Sequence, residues 1–184
     1  MSAHQRMACT LLAAGMLFAT ARTDAAVLGP GQSMAPGQRL YSSSQLYFAT
    51  LDPTGDFAVY RASDGARAWS AGTGGSGAVT ASMLRDGRLV LTNAEGHTVW
   101  ATPTRGKHRV FGVTAYGSAV VLNARKWRPY DKKAEPIVEQ MLVRRAKLDW
   151  QTPALDSPAK TRQRAAAQAV RDATGTKHPP RNGK

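Results

Sequence analysis

The chain has 184 residues and a formal net charge of +13, with 25 Lys and Arg against 12 Asp and Glu. It contains one cysteine, which excludes a fold stabilised by disulfides within the chain. The length suits one compact domain of about 100 residues with an appended segment.

Residues 1–26 have the form of a secretory signal peptide. A short, weakly basic lead precedes an apolar run from Met7 to Thr20, and small residues up to Ala26 offer a cleavage site. The apolar run is too short to span a membrane. Cys9 precedes the centre of that run, which argues against a lipid-anchored cysteine. We therefore expect a secreted or periplasmic protein whose mature chain has no cysteine and no integral membrane segment.

Residues 28–127 contain a passage that recurs three times. Each copy has a turn glycine, a short apolar strand, and a second strand that ends in tryptophan. The turn glycines are Gly55, Gly87 and Gly117, and the tryptophans are Trp69, Trp100 and Trp127. A repeat of about 30 residues is one supersecondary unit that cannot bury its own apolar face, whereas three units can bury it together. The pattern predicts a β-meander in each repeat, with the tryptophans directed at a common core.

These repeats, together with the stretch that precedes them, resemble the bulb-type (monocot mannose-binding) lectin domain. The resemblance rests on residues 28–42, on Gly87-Arg88-Leu89-Val90-Leu91 and on Thr98-Val99-Trp100-Ala101. It covers residues 27–127 and implies an all-β fold, a β-prism of three four-stranded sheets with pseudo-threefold symmetry. It also implies one sugar site per sheet. Plant members of the family usually have a disulfide, so its absence here indicates a bacterial origin.

The sugar-site motif of mannose-binding members, Gln-x-Asp-x-Asn-x-Val-x-Tyr, is incomplete in every repeat. The first copy reads Asp52, Thr54, Asp56, Ala58 and Tyr60, the second Leu84, Asp86, Arg88, Val90 and Thr92, and the third Thr114, Tyr116, Ser118, Val120 and Leu122. Alternate positions of a strand point to one face, where such side chains exchange hydrogen bonds with vicinal hydroxyls. Each lost partner costs about 0.5–1.5 kcal/mol, so we expect mannose binding to be weak or absent.

The second repeat is the best candidate for a sugar site. Asp86 would accept hydrogen bonds and Arg88 would be a new donor, with Val90 and Thr92 completing the face. Alternatively, Asp86 only forms the Asp-Gly turn with Gly87. The first interpretation predicts a carbohydrate-binding module for a glycan or cell-envelope polysaccharide. The second predicts a β-prism scaffold or protein-interaction module that has lost sugar binding.

The net charge is concentrated in a basic tail, residues 128–184. Residues 125–184 contain 15 of the 25 basic residues but only six of the 12 acidic ones. Such asymmetry is typical of a segment that binds a polyanion. A solvated, partly disordered extension is the alternative.

Two helices are predicted within the tail. The first begins near Glu135 and carries an apolar stripe that includes Met141 and Leu148, so we expect it to dock on the prism or, alternatively, on a partner. The second runs from Ser157 to Gly175, is rich in alanine, and has almost no large apolar face. Its candidate polyanion-binding residues are Arg162, Arg164 and Arg171.

The sequence contains no recognisable catalytic constellation. Its histidines have no Cys or carboxylate neighbours at the spacing of metal ligands, and nucleophile elbows and phosphate loops are missing. We therefore expect a protein that is not an enzyme and that needs no metal and no cofactor.

Overall fold

The computed structural model of this protein describes residues 27–126, 138–143 and 146–174. The predicted signal peptide and Trp127 lie outside these residues. The strands are β1 (Val27–Leu28), β2 (Ser33–Met34), β3 (Arg39–Tyr41), β4 (Tyr47–Leu51), β5 (Phe57–Arg61), β6 (Arg67–Ser70), β7 (Ala78–Met83), β8 (Leu89–Asn93), β9 (Thr98–Ala101), β10 (Arg109–Val113), β11 (Ala119–Asn123) and β12 (Lys147–Gln151). The helices are α1 (Val138–Val143) and α2 (Pro158–Thr174).

The strands form three antiparallel sheets of four strands each, which confirms the predicted β-prism. The first sheet has the order β3-β4-β5-β6, the second β2-β7-β8-β9 and the third β1-β10-β11-β12. A turn glycine with positive φ precedes each of the strands β5, β8 and β11: Gly55, Gly87 and Gly117. A Cβ on Gly87 would lie 2.2 Å from the carbonyl oxygen of Gly106, so this turn requires glycine both for its φ and for space.

The core lies where the inner faces of the three sheets meet. Phe57 of the first sheet and Phe111 of the third are fully buried, with ring centroids 5.5 Å apart. Against this core pack three half-buried tryptophans: Trp69, Trp100 and Trp150. Their ring centroids are 5.6 to 6.1 Å apart in all three pairings, within the range in which aromatic rings attract one another.

Trp150 occupies the third position in this cluster. Trp69 pairs with Val59, Trp100 with Leu91 and Trp150 with Val121, at equivalent places in the three sheets. A register shift follows each of these pairs. The prediction for Trp127 concerns a residue outside the described part of the chain. The third sheet is completed by β12, which follows an insertion that contains α1.

Within the tail, a short helix and a strand stand where the sequence suggests one longer helix. Residues 147–151 hydrogen-bond to β11 as a strand, and Leu148 of the predicted stripe is 40% exposed. Pairing with β11 satisfies the backbone hydrogen-bonding groups at the open edge of the third sheet, and this gain outweighs the local helix propensity. Met141 does pack on the prism, as expected from the stripe.

The second predicted helix is confirmed as α2. The Oγ of Ser157 accepts a hydrogen bond from the backbone N–H of Lys160 at 3.4 Å, as an N-cap residue does. Most of the helix is exposed, including Val170. Neither helix in the described part of the chain is long and apolar enough to cross a membrane.

A buried carboxylate, Asp156, joins α2 to the first sheet. One of its oxygens accepts hydrogen bonds from the Tyr47 hydroxyl and from Arg61 at 3.2 Å, and it forms an ion pair with Arg164 at 3.0 Å. Burial opposes the charge, but the Tyr47 hydrogen bond and the two guanidinium groups outweigh it and hold the pKa of Asp156 below its ordinary value. Burial and the hydrogen bond to Asp156 raise the pKa of Tyr47 to about 12.

Candidate functional site

The outward faces of the three sheets carry the positions of the sugar-site motif. In β8, for example, Leu89 and Leu91 point into the core, so that Val90 and Thr92 point outward. The central strands of the other two sheets alternate in the same way. The three faces are therefore equivalent in the fold, but they differ in what covers them.

The third face is covered by the chain itself. Val138 and Met141 of α1 pack on an apolar patch formed by Val110, Val120 and Leu122. Glu139 of the same helix fixes its position: one carboxylate oxygen accepts the N–H of Ala115 at 2.6 Å, and the other accepts the Ser43 hydroxyl at 2.7 Å. This face consequently has no room for a sugar while α1 is docked.

Aromatic side chains fill much of the first face. The Phe48 ring lies between Tyr41 and Tyr60, at centroid distances of 5.4 and 5.8 Å. The guanidinium of Arg39 lies 4.4 Å from the centre of the Phe48 ring, in a cation–π contact. Phe48 is only 8% exposed as a result.

The two carboxylates of the first face serve the fold. Asp52 accepts hydrogen bonds from the backbone N–H groups of Thr54 and Asp56, at 2.9 and 3.0 Å. Asp56 is 5% exposed and accepts from the Ser70 hydroxyl at 2.6 Å and from the N–H of Thr73 at 3.0 Å. Acceptors already engaged in this way have little capacity left for a ligand.

The second face carries a row of hydroxyl groups. They belong to Ser33, Thr80, Ser82, Thr92 and Thr98, all of which are half-buried or exposed. Thr80, Thr92 and Thr98 pair across three neighbouring strands, and the hydroxyls of Ser33 and Ser82 lie 2.8 Å apart. We call these five residues the hydroxyl face.

Asp86 and Arg88 stand at the end of the hydroxyl face, in the turn before β8. One Asp86 oxygen accepts hydrogen bonds from Nε of Arg88 at 2.8 Å and lies 2.8 Å from its Nη2. The Arg88 hydrogen bond holds the pKa of Asp86 below its ordinary value, so the carboxylate is charged at neutral pH. The Asp86 side chain is 43% exposed and that of Arg88 is 30% exposed, so both groups are accessible.

Asp86 also supports its turn, as the alternative interpretation of the sequence expected. Its other oxygen accepts the backbone N–H of Arg88 at 3.1 Å. In the first repeat the equivalent N–H is bound by Asp52, which stands where the second repeat has Leu84. The Leu84 side chain cannot accept a hydrogen bond, so one oxygen of Asp86 makes this contact while the other pairs with the Arg88 guanidinium.

The structure thus brings Asp86, Arg88 and Thr92 to one face. Val90 lies there too, but it is 2% exposed and offers almost no apolar surface to a ligand. The hydroxyl partners on the neighbouring strands do not belong to the motif and were not predicted from it. The signal was the alternation Thr80-Ala81-Ser82 in β7, where Ala81 is fully buried.

Within the described residues, no group of three or more His, Cys, Asp or Glu side chains could hold a metal ion. His97 and His108, the histidines that fall in this part of the chain, are both exposed.

The prism with its three outward faces is similar to several solved lectin structures. A lectin of Marasmius oreades matches with a TM-score of 0.52 and 20% identity, over 70% of this chain and 91% of that one. The snowdrop (Galanthus nivalis) mannose-specific agglutinin, complexed with methyl-α-D-mannoside, matches with a TM-score of 0.50 and 22% identity, over 59% of this chain and 98% of the other. The chain has the fold of the bulb-type lectins.

A third lectin, from Polygonatum cyrtonema and complexed with monomannoside, matches to the same extent as the snowdrop agglutinin, with a TM-score of 0.50 and 22% identity over 59% of this chain and 98% of that chain. No protein-family model matches the sequence, and no curated protein matches it. The resemblance noted in the sequence is therefore confirmed at the level of the bulb-type lectin fold.

Proposed function

We propose that this protein is an exported carbohydrate-binding protein whose binding site is the outward face of the second sheet. The observation that carries the proposal is the difference between the three outward faces. Helix α1 covers the third face and an aromatic stack fills much of the first, whereas the second carries exposed and half-buried hydroxyl groups.

The groups on the second face suit a sugar. The Asp86 carboxylate accepts hydrogen bonds, the Arg88 guanidinium donates them, and the hydroxyls of the hydroxyl face do both. Vicinal sugar hydroxyls need this mixture of acceptors and donors. Because Asp86 already binds Arg88, we expect modest affinity for a single sugar unit and tighter binding of a longer glycan.

Simple mannosides are poor candidates for the ligand, although two similar structures hold mannosides. The second repeat keeps two of the five motif residues, Asp86 and Val90, and Val90 is buried. Leu84 and Arg88 have replaced the two amides of the motif, so the pattern of donors and acceptors has changed. We therefore propose that the ligand is a glycan other than mannose. A cell-envelope polysaccharide is a suitable source of such a glycan.

A glycan array probed with residues 27–184 tests the proposal. Asp86→Ala should abolish most of the binding to any glycan that the unaltered protein retains. Asp172→Asn is the matched control, because Asp172 is an acidic residue on α2, where it pairs with Gln168 at 2.9 Å. Glycan binding that survives Asp86→Ala unchanged would refute the assignment to the second face.

A protein-interaction module is the second candidate, and α1 favours it. The third face binds an amphipathic segment of the chain itself through Val138 and Met141, so a face of this fold can hold a peptide. In that case the basic tail would recruit a polyanion while the prism acts as a scaffold. An array without any bound glycan, together with retention on a polyanion column, would support this candidate over the first.

A further inference from the structure

A cluster of basic side chains borders the hydroxyl face at the end where Asp86 and Arg88 lie. It consists of Arg85, Arg88, Arg105 and Lys107, which we call the cationic rim. Arg85, Arg105 and Lys107 are exposed, and Arg88 is half-buried. Residues 84–88 and 104–108 contain these four basic residues and one acidic residue, Asp86, so the two turns together carry an excess of positive charge.

Direct contacts between the two turns bring the rim together. The N–H of Gly106 donates to the carbonyl oxygen of Asp86 at 2.5 Å, and the Thr104 hydroxyl donates to that of Gly87 at 2.6 Å. Arg105 therefore lies beside the turn that holds Asp86 and Arg88. Its charge is close enough to contribute to the lowered pKa of Asp86, after the larger effect of Arg88.

We propose that the second face selects saccharides that carry an anionic group, a carboxylate or a sulfate, over neutral saccharides. This inference rests on the proposed function, because it names the class of glycan that the same face would bind. The sugar ring would contact the hydroxyl face, and the anionic group would contact the cationic rim.

The charges of the rim support this division of roles. Asp86 neutralises one positive charge by pairing with Arg88, which leaves the charges of Arg85, Arg105 and Lys107 to attract an anion. Guanidinium groups bind carboxylates and sulfates through two parallel hydrogen bonds, a geometry that neutral hydroxyls do not match.

The proposal distinguishes this face from the basic tail. Helix α2 carries Arg162 and Arg171 on its exposed surface, but the hydroxyl face is formed by the second sheet alone. Binding to a short acidic oligosaccharide should therefore depend on the rim and not on α2. A long polyanion could bind the rim and α2 alike and would not distinguish between them, so the probe must be short.

Titration by NMR, with residues 27–184 and three short saccharides, tests the proposal. The probes are a hexuronate trisaccharide, its carboxyl-reduced neutral counterpart, and a sulfated form of that neutral counterpart. At low salt we expect the two acidic probes to bind roughly fivefold more tightly than the neutral one, with shift changes in residues 84–92. Arg105→Gln should remove most of this preference without changing the affinity for the neutral probe. The control Arg162→Gln, which removes the same charge from α2, should leave all three affinities unchanged.

Three results would contradict the inference. Equal affinity for acidic and neutral probes would overturn the inference and leave the proposed function standing. If none of the three probes shifted signals of the second face, both would fall. A loss of preference in Arg162→Gln as large as that in Arg105→Gln would overturn the inference by assigning the anion to the tail.

Discussion

The indole rings of Trp69 and Trp150 meet nearly perpendicular to each other, with their centroids 5.6 Å apart. One belongs to the first sheet and the other to the third, so this contact joins the first repeat to a strand that lies in the predicted tail. The stability of the prism should consequently depend on residues beyond 127.

Trp150→Ala should lower the free energy of unfolding by about 2–3 kcal/mol. This is less than the loss expected for a fully buried tryptophan, because Trp150 is half-buried. Chemical denaturation measures the change. Trp150→Phe, which keeps a ring in the cluster, should lose less, and an equal loss in both variants would contradict a role for ring packing.

Met141→Ala should destabilise the protein by about 2 kcal/mol, because it removes a fully buried side chain from the contact between α1 and the third face. Leu142→Ala is the matched control on the same helix, since Leu142 is 38% exposed. It should cost less than about 0.5 kcal/mol in the same unfolding measurement. Equal costs would show that α1 is not held through Met141.

Asp156→Asn should destabilise the protein by roughly 2 kcal/mol at neutral pH, because it leaves Arg61 and Arg164 without a buried counter-charge. The folded-state pKa of Asp156 is depressed, so its charge stabilises the fold above the ordinary value of 3.8. That contribution is lost as the pH falls through the folded-state pKa. The difference in the free energy of unfolding between Asp156→Asn and the unaltered protein should therefore become smaller below pH 4. A difference that stays constant with pH would refute the prediction.

Tyr47 should make the protein sensitive to alkaline pH. Its pKa is raised from 10.0 to about 12, so the contribution of its protonated hydroxyl is complete below pH 10 and is lost between these two values. Tyr47→Phe should be less stable at neutral pH, because Asp156 loses a donor, but it should lose less stability between pH 10 and 12. Thermal unfolding across this range compares the two proteins. Parallel losses would contradict the assignment to Tyr47.

Replacing Lys160, Arg162 and Arg171 by Gln should lower the salt concentration that elutes the protein from a polyanion column. All three side chains are exposed on α2, and binding of this kind falls steeply with salt because it depends on counterion release. Val170→Gln, which changes the surface of α2 but not its charge, should elute with the unaltered protein. Elution of the triple variant at an unchanged salt concentration would identify α2 as a passive, solvated extension. Deleting the whole tail would not be a valid test, since it would remove β12.

Local signals in the sequence explain why most of the prism could be predicted. Each turn glycine (55, 87 and 117) is followed directly by an apolar run, so the signals for a turn and for the next strand lie within a few residues of each other. The pairing of β11 with β12 is different, because an insertion separates the two strands and sequence proximity favoured Trp127. One signal for the correct partner was present: Trp100-Ala-Thr102-Pro103 recurs as Trp150-Gln-Thr152-Pro153.

The recurring threonines show why this signal has a physical basis. The Oγ1 of Thr102 accepts the N–H of Leu89 at 2.9 Å, and that of Thr152 accepts the N–H of Ala119 at the same distance. Each contact fixes the start of a central strand. At the second face, Asp86 and Arg88 could be found from motif spacing. Ser33 could not, because it reaches the face only when β2 pairs with β7.

The composition of the third sheet sets the order in which the protein can be completed during synthesis. Its strands come from both ends of the described chain: β1 begins at Val27 and β12 ends at Gln151. Until Gln151 has emerged from the ribosome, the edge of β11 is unpaired and the tryptophan cluster lacks one ring. A nascent chain stalled before that point would present an unpaired strand edge to its neighbours, the kind of surface at which partly folded chains aggregate.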